Sequence, residues 1–422
     1  MKKLSIFLLL VLAVLIAGCS NSDSSEGSDS DGDGQVTIQM AISGSNAEQA
    51  IRKATADAFM EENPDIKIEW VDLGDRRYEK TLTLISGGNA PDILYLNEWV
   101  PALASRNALL PLDDLIESDE SFSLDLFYDG LINGNIYEDQ LYALPQEVSP
   151  FVVYYNKELF DQTGVDYPTD DWTQEEFYQI AEQLTDAGKN QYGYLHENGY
   201  NPTLGWVFRN GGELFNDQRA SGLDSAGTLE ALEFINDIVQ NKLSPNPAQL
   251  EATGQGADAQ FRNQQVAMIS AGMWLLPPFK EEALPFEWDV VKMPVAANQT
   301  VGAGILNWGI SNQTEHPEEA WEVLKYFVGH EGMMKVAESN MALPASEDEE
   351  ANQVILDSGF PENVAAFVDS ADSVVMDGYT SPFTSEIDEM FKQEVEKMLL
   401  GKEDPQTTQE QLHSKLNEII NQ

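Results

Sequence analysis

The stretch VTIQMAISGSNAEQAIRKATADAFMEENPDIKIEW, residues 36–70, decides the fold. Val36, Ile38, Met40 and Ile42 recur at every second position, the period of a half-buried strand. Ser43-Gly44-Ser45-Asn46 breaks that strand. Ala50, Ile51, Ala54, Ala58 and Phe59 then fall on one face of a helix from about Ala47 to Glu62, which Asn63-Pro64 stops. Ile66, Ile68 and Trp70 resume the strand period against Lys67 and Glu69. After another helical segment, Pro91-Asp92 introduces Ile93-Leu94-Tyr95-Leu96, an unbroken apolar run suited to a strand buried on both faces. Repeated β-α-β units around such a strand predict an α/β fold, with mostly parallel sheets covered by helices.

Downstream, Phe151-Val152-Val153-Tyr154-Tyr155 is a further strand and opens a second domain, as expected for 422 residues. Thr173 and Glu176 form a capping box ahead of Phe177, Ile180, Ala181 and Leu184 at helical spacing. Helical patterns recur from Thr228 to Val239, from Pro317 to Val328, and from Phe383 to Ile420 with a break at Gly401 to Pro405.

Upstream, Lys2 and Lys3 precede an apolar run from Ile6 to Ile16 and the small residues Ala17-Gly18. The run is short for a membrane span and reads as an export signal over residues 1–18. Cys19 follows at once and is the only cysteine, which excludes an intramolecular disulfide framework. Leu15-Ile16-Ala17-Gly18-Cys19 resembles a bacterial lipobox, implying cleavage before Cys19 and a diacylglycerol anchor on its thiol; a free thiol beside a secretory cleavage site is the alternative. Residues 20–34 contain only Ser, Asn, Asp, Glu and Gly and are expected to be a disordered acidic spacer. Asp29, Asp31 and Asp33 imitate an EF-hand start, but Met40 stands where the bidentate Glu belongs, so no calcium site is expected.

The chain carries 72 Asp+Glu against 23 Lys+Arg, a net charge of −49. Such a surface repels nucleic acid and anionic membranes, which excludes polyanion binding as a function and argues against acidic substrates as partners. Its hydrophobic content of 42% shows that the acids do not come at the expense of a core. In an exported protein that balance suggests a saline or alkaline habitat. His196, His316, His330 and His413 are dispersed without metal-ligand spacing, and no nucleophile elbow, phosphate loop or dinucleotide loop occurs. Neither a metal nor a cofactor is expected. A glycosidase-like carboxylate pair could be drawn among so many acids, and their abundance makes any one pair uninformative.

Tryptophan is the more pointed signal. Trp99, Trp206, Trp274 and Trp308 lie among polar or glycine-rich neighbours, and indole faces stack on the C–H faces of sugar rings while Asn97, Gln146 and Glu147 could bond hydroxyls. Core packing is the competing reading for each of the four, and is favoured for Trp70, Trp172, Trp288 and Trp321.

The order of segments resembles the extracellular solute-binding proteins of family 1, the sugar-binding lipoproteins serving ABC importers. The resemblance runs through the lipobox, Gly87-Gly88-Asn89-Ala90-Pro91-Asp92-Ile93, Tyr142-Ala143-Leu144-Pro145, and Val153-Tyr154-Tyr155-Asn156-Lys157-Glu158-Leu159-Phe160. It continues through Asp171-Trp172-Thr173, Asn210-Gly211-Gly212-Glu213-Leu214-Phe215, Phe261 to Met268, and Glu318-Glu319-Ala320-Trp321. The chain departs from the family at Asn263-Gln264-Gln265, where Gly-Lys is usual, and at Ser43-Gly44-Ser45, which lacks the frequent aromatic.

The resemblance implies a type II periplasmic-binding-protein-like fold. Lobe one would comprise 35–146 and 297–343, and lobe two 147–296 and 344–422, closing on a carbohydrate that an ABC importer's permease then receives. The protein would be a non-enzymatic, monomeric receptor on the outer face of the cytoplasmic membrane, tethered through Cys19. A secreted glycoside-active enzyme and a same-fold binder of peptides or polyamines are the alternatives. Trp274, after the predicted strand Val266 to Ser270, heads the expected ligand residues. Trp206, Trp308, Trp99, Glu147, Gln146, Asn97, Tyr379 and Ser43 follow.

Overall fold

The computed structural model describes residues 35–346, 348–375 and 381–421. The expectations for residues 1–34, Cys19 among them, and for Tyr379 lie outside the described residues. The strands are β1 (Val36–Ile42), β2 (Ile66–Asp72), β3 (Ile93–Leu96), β4 (Ile136–Tyr137), β5 (Gln140–Leu141) and β6 (Leu144–Pro150). They continue with β7 (Val152–Asn156), β8 (Tyr192–Leu195), β9 (Val266–Ala271), β10 (Trp288–Lys292), β11 (Ala303–Ile310) and β12 (Leu343–Pro344).

Two mixed sheets organise the described chain. One runs β12-β6-β11-β3-β1-β2 and the other β10-β7-β9-β8, while β4 and β5 form a small hairpin. The opening stretch behaves as its periodicity predicts: β1 lies parallel to β2 in register Val36 to Ile66, and the helix Asn46–Glu62 connects them. Ser45 and Glu48 close that helix with a reciprocal capping box. All four residues of β3 are buried. The expectation of mostly parallel sheets is corrected. Among the strands given above, the parallel pairs are β1 with β2 and β3, and β8 with β9. The remaining pairs are antiparallel, because β6, β11 and β12 enter the first sheet from outside the β-α-β run.

The chain passes between the sheets at Phe151, directly between β6 and β7, and again between β10 and β11. β6 belongs to the first sheet as far as Pro150, so residue 146 falls inside a strand. Helices Asn46–Glu62 and Pro317–Val328 bury Phe59, Leu324 and Phe327 against the first sheet. Helices Gln174–Leu184, Ala226–Gln240, Thr384–Leu399 and Pro405–Ile420 form a second core around Phe177, Ile235, Phe391 and Leu412. No helix among the described residues is long and apolar enough to cross a membrane.

Candidate functional site

Because β1, β2 and β3 run parallel, their carboxyl ends open on one edge of the sheet, where α/β proteins hold ligands. The loops and helix starts beyond them bring Ser43, Gly44 and Glu48, then Asp75 and Arg77, then Asn97, Glu98 and Trp99 around one cavity of about 550 Å³. Hydrogen bonds fix those loops. Ser43 Oγ donates to the Gly74 carbonyl at 3.0 Å. Asn97 Nδ2 donates to the Ile305 carbonyl at 2.5 Å, and Asn307 Nδ2 returns a bond to the Asn97 carbonyl at 3.0 Å. Among the described residues the buried Oδ1 of Asn97 has no hydrogen-bond partner. Trp99 packs on Tyr78 with ring centroids 5.0 Å apart.

The second sheet contributes Trp274. It follows β9 in a 3₁₀ turn, Met273–Leu275, and remains partly exposed in the cavity wall, edge-on to Phe151 at 5.7 Å. Two glycines make its seat. A Cβ on Gly272 would come within 2.1 Å of the indole, and one on Gly304 within 2.7 Å. Only a residue without a side chain lets the ring lie this close to both backbones. The turn itself is pinned by Ser149 Oγ, which accepts from the Met273 amide at 2.6 Å, and by Tyr154, whose hydroxyl donates to the Gly272 carbonyl at 2.7 Å.

A buried ion pair stands behind the cavity. Arg52 Nη2 donates to both carboxylate oxygens of Glu147 at 3.0 Å, and the guanidinium lies 5.4 Å from the Tyr95 ring centroid. Burial pushes the Glu147 pKa up and Arg52 opposes it; two equal bonds to the carboxyl oxygens are the geometry of an ionised carboxylate. Burial also opposes the charge on Arg52, but Glu147, Tyr95 and Glu48 together raise its pKa. In the cavity wall, desolvation raises the Glu98 pKa, with its own amide and Arg77 pulling the other way. Among the described residues no cluster of three His, Cys, Asp or Glu side chains could hold a metal.

Residues 42–334 match the sequence model of the bacterial extracellular solute-binding proteins. The chain belongs to that family. Its relatives include an arabinooligosaccharide-binding protein of Halalkalibacterium halodurans, 25% identical over 58% of this chain and 56% of the relative. Another is a multiple sugar-binding protein of Streptococcus mutans, 24% identical over 71% of this chain and 73% of the relative. Among solved structures, a Listeria monocytogenes ABC substrate-binding protein in complex with cycloalternan superposes with a TM-score of 0.84 at 27% identity, covering 92% of this chain and 99% of its own. A Thermotoga lettingae solute-binding protein bound to α-D-tagatose, at 23% identity and a TM-score of 0.79, covering 92% of this chain and 100% of its own, shares the fold.

Within this solute-binding protein, Trp274, Trp99, Asn97, Glu147 and Ser43 meet at the one cavity. Trp308 and Gln146 do not line it. Trp308 is fully buried, and its indole N–H donates to Gln146 Oε1 at 2.7 Å. Gln146 in turn donates to the Phe327 carbonyl at 2.6 Å. The physical reason is a bulge. The β6–β11 register shifts between Leu306 and Asn307, opposite Glu147 and Pro145, so Gln146 drops out of the pairing and its amide is spent inside the core. Trp206 packs into the second core. It is 2% exposed and packed against Phe177 and Phe234, and only one side of it borders a smaller cavity of about 80 Å³. Glu147 is present at the main cavity, but Arg52 occupies both of its oxygens.

Sequence reasoning missed Asp75, Arg77, Glu98 and Asn201, all in the cavity wall. A usable signal existed for the first two. Leu73-Gly74-Asp75-Arg76-Arg77 immediately follows a predicted strand, where the rule that singled out Trp274 applies equally, and paired arginines are rare in so acidic a chain.

Proposed function

We propose that this solute-binding protein is a monomeric carbohydrate receptor, tethered to the outer face of the cytoplasmic membrane through Cys19, that hands its ligand to an ABC importer. Its two lobes, built on the two sheets, would close over a sugar held in the main cavity. The observation that carries this reading is the pairing, in one cavity of about 550 Å³, of indole surface from Trp274 and Trp99 with the polar side chains of Asn97, Glu98, Asp75 and Arg77. Aromatic faces take the C–H side of a sugar, and short polar side chains take its hydroxyls. The sugar ligands in the names of its relatives point the same way.

Calorimetric titration with a panel of mono- and oligosaccharides tests the reading. At least one should bind, should be recovered chemically intact, and should bind about 5- to 150-fold more weakly to Trp274→Ala, the loss of one stacked ring by analogy with base stacking. Binding untouched by that substitution, or hydrolysis of the sugar, would overturn it.

A further inference from the structure

A smaller cavity of about 80 Å³ adjoins the main one, and the two share Phe151, Asn201 and Trp274 in their walls. Arg209 lines it from the helix Tyr200–Arg209. This arginine is 1% exposed, yet among the described residues no carboxylate pairs with it. Its Nη1 donates to the Gly205 carbonyl at 3.3 Å, its guanidinium lies 5.1 Å from the Trp206 ring centroid, and its Nε–H has no acceptor. Burial lowers its pKa to about 10, with only Tyr194 acting the other way. Arg52, the other fully buried arginine, shows what this chain does when a charge is internal: it supplies a carboxylate with two bonds. Glu197 borders the same cavity, but its carboxylate accepts from the Ala257 amide at 3.4 Å, and among the described residues it makes no ion pair or hydrogen bond with Arg209. A chain with 72 acids that leaves one buried guanidinium uncompensated leaves room for a counter-charge from outside.

Resting on the receptor reading above, we propose that the preferred ligand is an acidic sugar, whose carboxylate enters the smaller cavity and pairs with Arg209 while its neutral part lies in the main cavity. A volume of about 80 Å³ accommodates a group of carboxylate size, since a water occupies about 30 Å³ in the liquid. Fork-shaped guanidinium donors match a carboxylate at two points, which a hydroxymethyl group cannot exploit.

The experiment compares three oligosaccharides of one backbone by calorimetry on the full-length protein: neutral, uronic-acid-terminated, and the methyl ester of that acid. The uronate should bind at least 10-fold more tightly than both others, and Arg209→Gln should abolish the difference while leaving the neutral sugar's affinity unchanged. Because Arg209 is buried, the ester comparison on the unaltered protein keeps the test decisive even if the variant misfolds. Neutral and acidic sugars binding equally, with Trp274-dependent affinity, would overturn this inference and leave the receptor reading intact. No binding of any of the three would count against both.

Discussion

Gly304→Ala isolates the seat of Trp274 from the rest of the fold. Gly304 lies in β11 with an ordinary backbone, so alanine brings no conformational strain there. Its new methyl would sit 2.7 Å from Cζ3 of Trp274 and 3.4 Å from two neighbouring ring carbons, whereas carbon atoms in good contact stand about 3.5–4.0 Å apart. The ring edge must therefore retreat by about 1 Å, toward the cavity it lines. A stacked ring contributes about 1–3 kcal/mol, so misplacing it should forfeit about 1 kcal/mol, or roughly fivefold in affinity. Stability should barely change, because the lost packing is offset by the smaller entropy of the unfolded alanine chain, about 0.4–1 kcal/mol. Gly193→Ala is the control: its methyl would meet the Ala181 carbonyl oxygen at 2.0 Å, backbone that cannot swing aside. That variant should lose stability and, where folded, keep its affinity. Calorimetric titration and chemical denaturation on both proteins give the four numbers. If Gly304→Ala binds sugar as tightly as the parent, Trp274 does not define the ligand surface.

Trp308→Ala removes a fully buried ring and leaves Gln146 Oε1 without its donor, so it should cost about 3–5 kcal/mol of stability and leave sugar affinity intact; a selective loss of binding would restore Trp308 to the site. His196 is 2% exposed, its Nε2 has no partner among the described residues, and burial lowers its pKa from 6.5 to about 4. The unfolded chain therefore takes up the proton first as pH falls. Stability contributed by the neutral ring is fully present above about pH 6.5 and declines toward pH 4, in total by about 3 kcal/mol. Urea midpoints at pH 7 and 4.5 should converge in His196→Gln relative to the parent, and parallel shifts in both proteins would refute the assignment. Cys19→Ala should release the protein into the medium or leave its signal uncleaved, and normal membrane retention in fractionated cells would refute the lipid anchor.

The fold was legible where local pattern and tertiary environment agree. Val36 to Trp70 yields strand, helix and strand within a residue or two because the apolar period, the Ser45–Glu48 cap and the Asn63-Pro64 stop all specify the same boundaries. The apolar run Ile93–Leu96 correctly announced a central strand. Strand direction was not legible beyond that unit. Whether β6 and β11 pair antiparallel depends on the route by which the chain re-enters the sheet, and no period of two or 3.6 residues encodes a route.

The same limit explains the site. Trp274 could be reached by position, since it follows β9 at the sheet's edge, but the glycines that make room for it are 2 and 30 residues away in sequence. Gly302-Ala303-Gly304, unsuited to a dinucleotide loop, finds part of its reason there: Gly304 is the floor beneath an indole. Gln146 and Glu147 are adjacent, equally polar, and indistinguishable on the page of the sequence. One bulge in β6 sends the first amide to Trp308 and Phe327 and leaves the second carboxylate at the cavity, and Arg52, 95 residues upstream, then claims it. The other polar side chains of the cavity wall, Asp75, Arg77, Asn97 and Glu98 among them, lie in the segments that follow the parallel strands β2 and β3 at one edge. What a loop residue can do is set by which strand end carries it, and that is decided by the sheet, not by the loop's own composition.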